Sequence, residues 1–231
     1  MDKKEFNKKD KLNIKESSSD GFSAKPGKLS GFYGRMFGVI KFAFGVLLLP
    51  FVYSVSASFL NEFSLVPRIL QNCFWYGVVS FLMIYLFVWE PVKIYLSGQK
   101  ILEAIFRFFA PLVKVAPYLL PIYFFICYLV YLILSLFPSV KGLLDYTMFF
   151  FGFTIALHLV FSAKTMRGKQ GDFLKGNYIF GFSFIYIINV GILAFILNTI
   201  FKEFSFVNFS QNSYNISSGI FSGIFRQLFL K

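Results

Sequence analysis

Five stretches of this chain, near residues 38–61, 74–96, 118–137, 146–163 and 178–201, run for about twenty residues each with scarcely a charge. A helix of that length matches the ~30 Å hydrocarbon thickness of a bilayer. It also closes its own main-chain hydrogen bonds, which hydrocarbon demands because no water is present to close them. Composition agrees: hydrophobic residues make up 57% of the chain and charged residues 15%, against roughly 25% charged in a typical soluble domain. The 35 Phe and 13 Tyr supply much of the apolar volume. The expected fold is all-α: a polytopic integral membrane protein with five transmembrane helices, a cytoplasmic amphipathic interfacial helix and a C-terminal amphipathic helix.

Charge sets the expected orientation. Nine Lys or Arg residues precede the first run, Arg68 alone lies between the first and second, and Lys93, Lys100, Arg107 and Lys114 follow the second. Lys141 alone follows the third run, and Lys164, Arg167, Lys169 and Lys175 follow the fourth. High and low counts alternate, and basic loops stay cytoplasmic, so the N-terminus is expected inside and the C-terminus outside. Residues 1–30, with eight Lys, five acids and little apolar content, read as a disordered basic tail, since they cannot offset the entropy of ordering. Residues 31–201 form the membrane domain and 202–231 an external segment. The net charge of +12 flanks apolar runs instead of forming an aqueous basic surface, which argues against nucleic acid.

Residues 98–114 are too charged to span. In helical projection Lys100, Glu103, Arg107 and Lys114 share one narrow arc, and Ile101, Leu102, Ile105, Phe108 and Phe109 lie opposite. A helix lying in the interface leaves those charges in water. Glu103 stands at i,i+3 and i,i+4 spacing from Lys100 and Arg107, which predicts an ion-pair ladder. Pro111, Pro117 and Pro121 predict an elbow leading into the third run, and Pro50 predicts a kink in the first. These charges, with Lys164, Arg167 and Lys169, are candidate contacts for lipid headgroups or a partner.

Ionisable groups at membrane depth are functional candidates. His158, the one histidine, shares a helical face with Thr147, Thr154 and Ser162. Glu90 is its one reasonable acidic partner for a proton relay, while hydrogen bonding to Ser183 or Tyr186 is the structural alternative. Asn189 and Asn198 in the fifth run are expected to join helices. Near the C-terminus, Ile216, Ile220, Phe221 and Ile224 oppose Ser218, Ser222 and Arg226, and Gly219-x-x-x-Gly223 would admit a second helix. That helix is expected either to take such a partner or to lie on the outer leaflet. Cys73 and Cys127 have no metal-site spacing, and no nucleotide-binding or hydrolase motif occurs.

These features point to a non-catalytic integral membrane subunit that anchors or organises a larger complex. The alternative is a small channel or transporter, possible as a homo-oligomer, with a proton or ion path near His158 and Glu90. A lipid-modifying or intramembrane enzyme comes third. No cofactor or metal is expected. Expected partners are the lipid bilayer and other membrane subunits, and the composition suggests a bacterial inner membrane.

Overall fold

A computed structural model of the chain describes residues 28–88, 91–108, 116–137, 141–168 and 178–229. Two compact units are present, Met1–Ile40 and Lys41–Lys231. The first contributes only the opening turns of α1, and everything below concerns the second.

Every described element is a helix: α1 (Lys28–Phe63), α2 (Arg68–Met83, prolonged by a π turn over Ile84–Val88), α3 (Val92–Ile105), α4 (Ala116–Leu119), α5 (Ile122–Ser135), α6 (Leu143–Gly168), α7 (Tyr178–Ile200) and α8 (Phe206–Phe229). Four are long and apolar enough to cross a membrane: Phe42–Phe63, Arg68–Val88, Leu143–Met166 and Tyr178–Ile200. The expected third run is instead broken. Pro121, which has no N–H to donate and a fixed φ, stands as N-cap between α4 and α5. The 14 residues of α5 reach only about 21 Å.

Proline sets the boundaries elsewhere too. Pro67 and Pro91 are the N-caps of α2 and α3, in keeping with proline's preference for helix starts over interiors. The amphipathic helix expected at 98–114 therefore begins earlier, at Val92, and takes residues assigned above to the second run. It ends at Ile105 in a 3₁₀ turn, Phe106–Phe108. Arg107 thereby leaves the i,i+4 register with Glu103, and no ion pair joins Lys100, Glu103 and Arg107. Pro50 lies inside α1, which continues as one helix past it. Beyond it the Ser54 and Ser56 hydroxyls donate to the carbonyls of Pro50 and Val52, at 2.7 Å each.

The tightest packing is between α2 and α6. A Cβ on Gly77 would overlap the main-chain carbonyl of Phe149, and one on Gly152 would overlap that of Phe74. The two backbones are in direct contact, and rings pack around the crossing: Phe81 lies edge-on to Phe153 at 5.4 Å, and Tyr85 to Phe161 at 5.7 Å. Because Gly77, Phe81 and Tyr85 meet Phe149, Phe153 and Phe161 in turn, the two helices run parallel. By contrast α5 is antiparallel to α6, since Tyr118 reaches Ser162 while Phe124 meets Phe151 at 4.5 Å.

α3 docks on α4, α5 and α6 through Tyr95, Gly98 and Leu102, all buried. Ile94, Ile101 and Ile105 are exposed on a second face, and Lys93, Lys100 and Glu103 on a third. Close approach needs Gly98, where a Cβ would come within 2.7 Å of the Tyr123 ring.

The start of α8 is fixed from three directions. Glu62 on α1 accepts from the Ser205 N–H (3.2 Å), Asn198 on α7 from the Phe206 N–H (2.9 Å), and Ser205 Oγ from the Asn208 N–H (3.2 Å). These oxygens satisfy donors that a helix N-terminus leaves open, and Glu62 complements its partial positive charge. From there α8 returns along α1, so that Phe221 meets Phe51 at 5.4 Å.

Gly77→Ala and Gly152→Ala should each destabilise the fold by about 1–3 kcal/mol, the usual range for overpacking. Gly191→Ala, where a Cβ would meet nothing within 4 Å, should be neutral or stabilising by up to about 1 kcal/mol through helix propensity. Unfolding midpoints in detergent would check both.

Candidate functional site at the broken helix

A helix that stops leaves the carbonyls of its last turn without their i+4 donors. Water would serve them at a surface, but the α4–α5 break faces His158, eight residues inside the Met166 end of its span and so about 12 Å in from it. Side chains from two other helices serve instead. His158 Nε2 lies 3.1 Å from the Tyr118 carbonyl oxygen, and Ser162 Oγ donates to the same oxygen at 3.3 Å. Asn189 Nδ2 on α7 donates to the Leu119 carbonyl at 3.1 Å and to the Ile185 carbonyl of its own helix at 2.8 Å.

A carbonyl can only accept, so the Nε2 of His158 carries the hydrogen. The same logic orients the remaining bonds. Gln99 donates to Tyr95 Oη at 3.0 Å, leaving the phenol to donate to Ser162 Oγ at 3.2 Å. Burial holds the Tyr95 phenol above its ordinary pKa, against the opposing pull of its hydrogen bonds to Ser162 and Gln99, so it keeps the proton that this requires. The result is a directed chain from Gln99 through Tyr95 and Ser162 to a main-chain oxygen. It ends on an atom that cannot release a proton onward.

Beside it lies a cavity of about 10 Å³ bordered by Tyr95, Gln99, Pro117, Leu120, Thr154 and His158. That is room for one water and too little for a substrate. Among the described residues two buried side-chain atoms, Asn189 Oδ1 and Ser58 Oγ, have no hydrogen-bond partner.

The polar stripe on α6 faces protein, as expected: Thr147, Thr154, His158 and Ser162 are all buried. The partner of His158, however, is the main chain of Tyr118. Tyr186, an alternative from sequence, bonds Ser56 at 2.8 Å. Asn198 links α7 to the start of α8 by accepting from the Phe206 N–H. Glu90, Lys114 and Lys169 lie outside the described residues, and Arg167 falls in the last turn of α6, its side chain undescribed. Lys100, Glu103, Arg107 and Lys164 are exposed. A Cβ on Gly219 or Gly223 would meet nothing within 4 Å among the described residues. No group of three His, Cys, Asp or Glu side chains able to hold a metal occurs among the described residues.

Fold and site together define an all-helical protein with the helices of a multi-pass membrane chain. Comparison with protein-family models, with curated proteins and with solved structures gave no match.

Asn189→Leu should destabilise by ~1 kcal/mol, typical of an interhelical hydrogen bond in a membrane, and His158→Leu by a similar amount. In a Pro121→Ala background, where α4 and α5 can join and their own N–H groups can serve the carbonyls, both losses should shrink. A double-mutant cycle on unfolding free energies reads that coupling.

Proposed function

We propose that the chain is a non-catalytic integral membrane subunit that anchors or organises a larger membrane complex. One observation carries this reading: the polar side chains at membrane depth, His158, Ser162 and Asn189, end on main-chain carbonyls of the broken helix. They hold the scaffold in shape, and the carbonyls they end on can only accept. The docked helix α3 adds a charged face at one end of the bundle, suited to a soluble or membrane partner.

The topology we propose has five crossings, with α4 and α5 together making the third. The parallel course of α2 and α6 supports it, since the chain must return across the membrane between them and α5 runs in the returning direction. On the charge rule the tail and the 164–175 loop are cytoplasmic; composition favours a bacterial inner membrane.

A small channel or transporter is the second reading, and the unpartnered Asn189 Oδ1 is the observation in its favour. Purification in native-like lipid followed by mass spectrometry separates the two. The subunit reading expects a co-purifying partner at fixed stoichiometry and no ion or proton flux in liposomes. A partner-free protein with flux abolished by Asn189→Ala would reverse the choice.

A further inference from the structure

α8 is not among the helices apolar enough to cross a membrane, yet its 24 residues extend for about 36 Å, longer than the ~30 Å hydrocarbon. Its position is what matters. Ser205 sits at Glu62, near the end of the Phe42–Phe63 span, and Phe221 sits at Phe51, eleven residues further into that span. Eleven residues of helix are about 16 Å, so α8 has reached mid-bilayer depth with two turns still to run.

Between Asn208 and Ser222, on the way to that depth, one outward arc is polar, whereas Phe225, Leu228 and Phe229 beyond it are exposed and apolar. Asn208, Gln211, Asn215, Ser218 and Ser222 are all exposed and fall within an arc of about 80° at 100° per residue. The inward face, including Phe209 and Ser217, is buried. Acyl chains cannot bond amides and hydroxyls, so Asn215, Ser218 and Ser222, the deeper part of this face, call for a protein partner. Gly219 and Gly223 flank it, and a Cβ there would meet nothing within 4 Å among the described residues, which leaves room for another helix to come close.

We propose that α8 makes a crossing of its own, a sixth beyond the five proposed above, and pairs through this face with α8 of a second copy of the chain. The chemistry of the face selects an identical partner. Asn, Gln and Ser each donate and accept, so the face complements itself about a two-fold axis. No charge lies between Val207 and Phe225, so two copies meet without repulsion, whereas a charged partner would find no counter-ion. Arg226 lies beyond, towards the far end of the span, where it can snorkel to the headgroups. The C-terminus then lies on the cytoplasmic side, opposite to the expectation from sequence. This pairing goes beyond the subunit reading and does not depend on which other proteins join.

Disulfide scanning in native membranes tests it, with Cys73→Ser and Cys127→Ala removing the two native thiols. Single cysteines at Gln211, Asn215, Ser218 and Ser222 should shift the 26.6 kDa chain to twice its mass, while Ile216→Cys and Ile220→Cys should not. Gly219→Leu combined with Ser222→Cys should lose the dimer while the chain stays folded by circular dichroism. An impermeant maleimide added outside should label Glu203→Cys and not Lys231→Cys. Absence of the doubled band at all four outward positions, equal bands at the inward ones, crosslinks to a chain of another mass, or external labelling at 231 would each overturn the proposal.

Discussion

Inside a bilayer a main-chain carbonyl has no water to bond, and a transmembrane helix survives by supplying each one with an N–H four residues on. Pro121 breaks that supply in the middle of the bundle. The two carbonyls facing the break, those of Tyr118 and Leu119, oblige α6 and α7 to carry His158, Ser162 and Asn189 at matching depth. They also hold α4 in place, and with it the seat of α3. The rarest side chains in these spans are thus explained by main-chain geometry before any activity need be invoked.

Around that polar centre the bundle is held by shape. Direct backbone contact at Gly77 and Gly152 removes the gap that side chains would otherwise fill, and large rings pack on either side. Phe63, Phe81, Phe124, Phe151, Phe161 and Phe204 are essentially fully buried. In hydrocarbon this matters more than in water. Lipid tails are as apolar as the core, so close packing and hydrogen bonds must supply what the hydrophobic effect supplies elsewhere.

Length and hydropathy made the four long helices legible, and the cluster of prolines marked where the third run would bend. Pro91 was an equally visible start signal for α3, but the apolar residues on either side masked it. The lone glycines in WYGVV and FFFGFT were also a readable sign. Glycine inside a helix costs about 1 kcal/mol relative to alanine, so its presence in an aromatic run points to close backbone approach. Which glycine meets which is a matter of tertiary register and is not written locally. The same limit applies to His158 and Asn198. Their polarity marked them as groups that need a hydrogen-bond partner, but their acceptor and donor lie 40 and 8 residues away. For α8, amphipathicity identified a face without saying what the helix lies against; Glu62, Asn198 and Phe51 supply that.

The parallel pairing of α2 with α6 also bears on how the molecule is made. Neighbours in a bundle are usually consecutive hairpins, which can close as soon as the second helix leaves the ribosome. Here the closest contact joins helices separated by α3, α4 and α5. During synthesis α2 must wait in the bilayer, its Gly77 surface uncovered, until Gly152 has been translated and inserted. The tightest joint of the bundle therefore cannot close before the helices between α2 and α6 have been made, with α7 and α8 still to follow.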